Sequence, residues 1–212
     1  MLKLYSYFRS SAAYRVRIAL NLKGLSYEIL PVHLTKEGGE QRRPEYRGIN
    51  PQMRVPALAV PGGEVLTQSL AIIDYLEETH PEPPLLSGDP VVRAKIRAVA
   101  QAIACDIHPL NNLVVLQYLK RTLKHDQVDI DSWYAHWIVS GFEAIEAMIA
   151  PGPYAFGAEV TLADVCLVPQ IANARRYKVP LESFPRIVAV DSACQKLAAF
   201  EQARPENQPD AE

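Results

Sequence analysis

The sequence predicts an α/β plus all-α chain: an α/β domain ordered βαβ–ββα over residues 1–82, then an all-helical domain over 88–212. Three observations carry this. Strand-like alternation and helix-like periodicity trade places through the first eighty or so residues. A stiff stretch, Pro81-Glu82-Pro83-Pro84-Leu85-Leu86, then separates that pattern from the rest. Beyond it no segment reads as a strand.

Each element has a local cause. Leu2 to Phe8 alternates as a short strand. Ser10 or Ser11 can cap a helix over about Ala12–Lys23, with Val16, Ala19 and Leu20 as its apolar set. Gly24 stands where a left-handed C-terminal residue is wanted. Tyr27 to Leu34 reads as a second strand, so the first 34 residues predict a parallel pair with a right-handed crossover. Polar residues from Thr35 to Asn50 predict a loop with a short helix. Val55 to Val60, the turn Pro61-Gly62-Gly63 and Glu64-Val65-Leu66 predict a hairpin. A helix from near Ser69 then carries Ile72, Ile73 and Leu76 until Pro81 stops it. This is the order of a thioredoxin-like domain.

In the second part, Asp89-Pro90 opens a long helix to about Leu123, which Pro109 should kink. Asp131 is expected to open another helix, with Trp133 and Trp137 in the core, and to run to Ile149. Thr161-Leu162-Ala163-Asp164 has capping-box form, with Asp164 as a cap, and its helix runs to about Tyr177. Pro185 precedes a last helix ending near Ala203, and the tail from Pro205 to Glu212 is expected to be loose. The cysteines, Cys105, Cys166 and Cys194, are expected to be buried packing residues in a reducing cytoplasm.

Composition excludes several classes. Lys plus Arg number 22 against 24 Asp plus Glu, which argues against a nucleic-acid surface. No apolar run is long enough for a membrane span, and because Met1-Leu2-Lys3-Leu4 reads directly as a strand, no signal peptide is expected. No histidine or cysteine spacing suggests a metal.

Three short segments can carry chemistry. In the first turn, Arg9-Ser10-Ser11-Ala12-Ala13-Tyr14-Arg15, a redox protein of this order would hold C-x-x-C; here there is no cysteine. Two hydroxyls at a helix N-terminus favour an anion, and a bound thiolate is one such anion. Lowering a thiol pKa by two units takes ~2.7 kcal/mol, within reach of one hydroxyl hydrogen bond plus the helix end. Val55-Pro56 suggests an exposed edge, with a cis bond an option. Gln68-Ser69 lies between strand and helix, where a carboxylate can be held. Taken singly, a plain cap or an ordinary edge strand accounts for each.

Together they form a pattern. Arg-Ser-Ser-x-x-x-Arg-Val-Arg-Ile-Ala-Leu from Arg9, Asn-Pro-x-x-x-Val-Pro-Ala-Leu from Asn50 and Gln-Ser-Leu-Ala-Ile-Ile-x-Tyr-Leu from Gln68 resemble the glutathione S-transferase superfamily, and within it the zeta class. The likeness continues through His108-Pro109-Leu110-Asn111-Asn112-Leu113, Thr161-Leu162-Ala163-Asp164 and Gln208-Pro209-Asp210.

The resemblance implies glutathione as cofactor. Ser10 would hydrogen-bond its sulfur, with Ser11, the amide of Ala12 and nearby Arg15 completing the pocket. Val55 would pair with the cysteinyl unit beside a cis Pro56. Gln68 and Ser69 would hold the γ-glutamyl carboxylate. Gln41, His108 and Asn112 match further contact positions. Where the family often reads Ser-Ser-Cys, Ala12 stands here, so the sulfur must come from the cofactor.

The implied reaction is cis–trans isomerisation of maleylacetoacetate to fumarylacetoacetate, a step of tyrosine catabolism, by reversible thiolate addition. The substrate is a small dicarboxylate, and Arg9 and Arg176 are the candidates to bracket it, with Arg175 weaker. A homodimer is also implied. Three alternatives stand beside this: isomerisation of maleylpyruvate, transfer of glutathione to small electrophiles such as α-halo acids, and a non-catalytic binding protein of the same fold.

Overall fold

The computed structural model describes all residues 1–212. Its chain divides into two compact units, Met1–Pro84 with Gln195–Glu212, and Leu85–Cys194.

The first unit holds a mixed four-stranded sheet in the order β2-β1-β3-β4. Strand β1 (Leu2–Ser6) pairs parallel with β2 (Tyr27–Pro31) and antiparallel with β3 (Ala57–Ala59), which pairs antiparallel with β4 (Val65–Thr67). This is the thioredoxin-like sheet. Helix α1 (Ser11–Leu22) crosses between β1 and β2, and Gly24 follows with φ 64°. Between β2 and β3 two 3-10 turns lead to the short α2 (Pro44–Ile49). Helix α3 (Ser69–Thr79) then packs beside α1.

Helix α1 is buried on more than the expected stripe. Val16, Ile18, Ala19 and Leu20 have no exposed surface, and neither has Arg17. The reason lies at the other end of the chain, where α9 (Ala198–Ala203) packs along α1. The expected last helix is therefore two, α8 (Pro185–Cys194) and α9, broken at Gln195–Leu197.

The tail is also not loose. Pro205–Asn207 forms a 3-10 turn, Gln208 is buried and donates to the carbonyls of Gln202 and Arg204, and Asp210 accepts from the Phe8 amide at 3.0 Å. Polar composition predicts a loose tail, but Gln208 and Asp210 are spent on backbone groups.

The second unit is helical throughout. Helix α4 (Pro90–Gln101) starts at Asp89, whose carboxylate accepts from the amides of Val91 and Val92. It passes into a π-helical turn, Ala102–Ile107, ahead of the break at Pro109. Pro109 cannot donate into the ladder, and the wider turn is one way a helix absorbs that loss. Helix α5 (Leu113–Arg121) restarts after it. Helix α6 (Gln127–Met148) begins earlier than expected because Asp126, not Asp131, is its cap, accepting from the Asp129 amide at 2.9 Å. Gly141 lets the π turn lie close, since a Cβ there would meet Ile107 Cδ1 at 2.2 Å.

Helix α7 (Leu162–Arg176) is the core of this unit, with most of its length buried. Its capping box is present, and Asp164 holds the Thr161 amide and hydroxyl and the Ala155 amide at 2.7–2.8 Å. Trp133 and Trp137 form an edge-on pair that is only half-buried, so they are not the core residues expected. Cys166 and Cys194 are buried, but Cys105 is exposed on the π turn.

Candidate active site

Strand register brings the candidate segments of the first unit to one end of the sheet. Ser6 lies beside Pro31, and Tyr5 lies in a row with Ala57 and Thr67. The Tyr7–Ser10 turn leaves β1 at this end. Val55-Pro56 enters β3 there, and Gln68-Ser69 follows β4 there. The loop that carries Gln41 leaves β2 at the same end. The Tyr7, Phe8, Val32, Tyr46 and Val55 side chains cluster as its apolar floor.

Ser10 is the N-cap of α1. Its oxygen accepts from the Ala13 amide at 3.2 Å, which leaves the hydroxyl hydrogen as a donor. The first-turn amides of α1 point out of its N-terminus, toward the Tyr7–Ser10 turn. Arg15 has 1% of its surface exposed and reaches the other side of the site, donating from Nη1 to the Ser69 hydroxyl at 3.3 Å. Ser69 is buried at the start of α3. Gln68 precedes it with φ 69°, a left-handed backbone that turns the chain sharply from strand to helix. Its side chain donates to Gln52 Oε1 at 3.0 Å.

The Val55–Pro56 bond is cis. The chain before it is held by two side chains: the Tyr46 hydroxyl and Asn50 Nδ2 both donate to the Arg54 carbonyl, at 2.7 and 2.8 Å. Burial pushes the Tyr46 hydroxyl well above its ordinary pKa, so it remains a donor. Gln41 is buried and donates to the Leu34 carbonyl at 3.3 Å, while its Oε1 is buried without a partner. Arg9 is exposed, its guanidinium 4.8 Å from the Phe8 ring.

The other candidates lie in the second unit. Asn112 caps α5 by accepting from the Val114 amide at 3.1 Å, and its Nδ2 is 3.5 Å from His108 Nε2. At the end of α7 the two arginines part. Arg175 pairs with the buried carboxylate of Asp191 at 2.5 Å. Arg176 is exposed, forms no ion pair and lies 5.2 Å from the Tyr177 ring, which stacks on Tyr134 at 3.5 Å between centroids. Burial raises the Tyr134 hydroxyl to about 12, and the nearby Arg176 charge and hydrogen bond oppose that.

The family described as "Glutathione S-transferase, N-terminal domain" matches residues 4–84, and "Glutathione S-transferase, C-terminal domain" matches 133–203. The chain belongs to the glutathione S-transferase family. It is 52% identical to a maleylacetoacetate isomerase of Pseudomonas aeruginosa over 99% of this chain and 98% of that one. Among solved structures it resembles the holo form of a maleylpyruvate isomerase, described as a bacterial glutathione S-transferase of the zeta class, with TM-score 0.95, 48% identity and 99% and 100% of the two chains covered. It also resembles a maleylacetoacetate isomerase of Methylobacterium extorquens with bound malonate and glutathione, with TM-score 0.94, 36% identity and 99% of each chain covered. The zeta-class likeness read from the sequence is thus a finding. No helix is long and apolar enough to cross a membrane.

Sequence reasoning missed Tyr46, Gln52 and Tyr134, and it marked Asp210 only within the Gln208-Pro209-Asp210 likeness, with no role. Asn50-Pro51 carried a turn signal that could have found the loop ahead of Val55. The others lie far in sequence from the groups they serve.

Proposed function

We propose that the chain is a glutathione-dependent cis–trans isomerase that converts maleylacetoacetate to fumarylacetoacetate. The observation that carries this is the Ser10 hydroxyl, a helix cap through its oxygen with its hydrogen left to donate, at the end of the sheet where Val55-Pro56 and Gln68-Ser69 also lie. Family membership and the high identity to a maleylacetoacetate isomerase support it.

The donor set suits glutathione, a tripeptide with one thiol, two carboxylates and an ammonium group. The Ser10 hydroxyl and the first-turn amides of Ser11 and Ala12 favour an anion at the thiol position. Val55 offers backbone next to a cis proline, Ser69 a hydroxyl already polarised by Arg15, and Gln41 a buried amide oxygen that still needs a donor. His108 and Asn112 are further contact candidates.

When bound, glutathione supplies the thiolate that adds to the conjugated double bond, allows rotation and is released unchanged. Ser10 would stabilise the sulfur's negative charge before addition and again on release; in between, the charge lies on the substrate, where hydrogen-bond donors or cationic side chains would meet it. Arg9 and Arg176 hold the carboxylates of the diacid, and Arg176 suits this better than Arg175 because no protein carboxylate neutralises it. Maleylpyruvate, a shorter diacid, is the second reading, favoured by the likeness to the holo maleylpyruvate isomerase. Homodimeric assembly and action in the cytoplasm belong to the same reading.

An ultraviolet assay of maleylacetoacetate, coupled to fumarylacetoacetate hydrolase, tests it. Many turnovers per glutathione are expected, and none without glutathione. Consumption of one glutathione per product would replace isomerisation with transfer, and turnover of maleylpyruvate alone would change the substrate.

A further inference from the structure

The peptide group joining Tyr7 and Phe8 sits between two charged side chains. Its N–H donates to Asp210 Oδ2 at 3.0 Å. Its carbonyl accepts from Arg17 Nη1 at 3.4 Å and from the Ser10 amide at 2.9 Å. The next carbonyl, that of Phe8, accepts from Arg17 Nη2 at 3.1 Å. A carboxylate on the N–H side and a guanidinium on the carbonyl side polarise the peptide in the same sense. That strengthens the carbonyl as acceptor for the Ser10 amide.

Neither charge belongs to the turn itself. Arg17 lies within α1, fully buried, with Nη1 also on the Ser6 hydroxyl and Nε on the Ala203 carbonyl. Burial lowers its pKa to about 10, and Asp210 is among the groups that oppose the drop. Asp210 lies 202 residues from Phe8 and reaches it because the tail is fixed on both sides. Gln208 is bonded to the carbonyls of Gln202 in α9 and of Arg204 just after it, and Glu212 pairs with Lys36 and lies 3.4 Å from His33 Nε2.

We propose that Asp210 is a positioning residue for the thiol site: by holding the Tyr7–Phe8 peptide it fixes the Tyr7–Ser10 turn, and through it the Ser10 hydroxyl and Arg9. Its charge rules out direct contact with a thiolate or a diacid, so it acts through the peptide. The consequence for activity rests on the glutathione reading of Ser10; the fixing of the turn does not.

The test compares Asp210→Ala with Asp210→Asn in the full chain. Asparagine keeps an oxygen that can accept the Phe8 amide. Amide hydrogen exchange at Phe8 and Ser10 should quicken by about tenfold or more in the alanine variant, from loss of a bond to a charged acceptor. Exchange in α7 should not change, and asparagine should restore most of the protection. The pKa of the glutathione thiol in the complex, read from thiolate absorbance, should rise by about 0.5–1 unit in the alanine variant. Glutathione Kd should change less, and asparagine should again restore the value. Unchanged exchange at Phe8 and Ser10, equal loss of protection throughout the unit, or an asparagine variant as impaired as alanine overturns the proposal. If the unaltered protein binds no glutathione, the functional reading fails, and exchange alone decides the role of Asp210.

Discussion

The Ser69 hydroxyl accepts a hydrogen bond from Arg15 Nη1 at 3.3 Å, between residues 54 positions apart. It joins the second turn of α1 to the start of α3, the helices that carry the thiol and carboxylate candidates. Ser69→Ala should therefore weaken glutathione binding by about tenfold, the cost of one bond to a charged group. Calorimetric titration measures this. Replacement with threonine, which keeps the hydroxyl, should recover most of the affinity.

Ser10 has two separable roles. Its oxygen caps α1, and its hydrogen is left for a thiolate. Ser10→Ala loses both: about 1 kcal/mol of stability and roughly ten- to a hundredfold in kcat. Ser10→Asp keeps a capping oxygen but sets a negative charge at the sulfur position. It should melt near the unaltered protein and show no measurable turnover. An active aspartate variant would remove Ser10 from the thiol site.

Arg175 and Arg176 should respond differently. Arg175 neutralises Asp191, which is 2% exposed, so Arg175→Ala should cost about 1–3 kcal/mol in denaturant unfolding, discounted for the half-exposed guanidinium. Its kinetics should change little. Arg176→Ala should instead leave stability within about 0.5 kcal/mol and raise KM for the diacid about tenfold. Glutathione Kd should not move. The reverse pattern would exchange their roles.

Asp89 offers a pH test. Its carboxylate accepts from the Val91 and Val92 amides, and these bonds hold its pKa below the ordinary aspartate value. A depressed carboxylate stabilises the fold above its unfolded pKa and loses that stabilisation as pH falls through its folded one. Asp89→Ala should melt lower than the unaltered protein at pH 7, and the gap should close in acid below the folded pKa. A gap that persists there would mean the cap is not the source.

Local rules made much of the chain legible. Ser10 as the cap, Gly24 as the left-handed stop, the Thr161–Asp164 box and the hairpin around Gly62-Gly63 all act within a few residues, so spacing reveals them. The same range explains the errors. Asp126 and Asp131 are both plausible caps, and only the packing of α6 chooses between them. Motif spacing likewise marked Val55-Pro56 and Gln68-Ser69, but not that strand register sets them at one end of the sheet.

Sequence by itself determined the family pattern, the order of elements and the choice of a hydroxyl rather than a cysteine at the start of α1. Tertiary structure alone decided the fate of the charged residues. Arg17 has no visible partner in its own helix until α9 covers it, the ion pair that sets Arg175 apart from Arg176 exists only because Asp191 packs there, and Asp210 reads as a loose tail until Phe8 turns its amide toward it. Apolar periodicity is imposed by one helix or strand and so is written along it. The partner of a charge is set by whichever distant segment packs against it, and no local spacing encodes that.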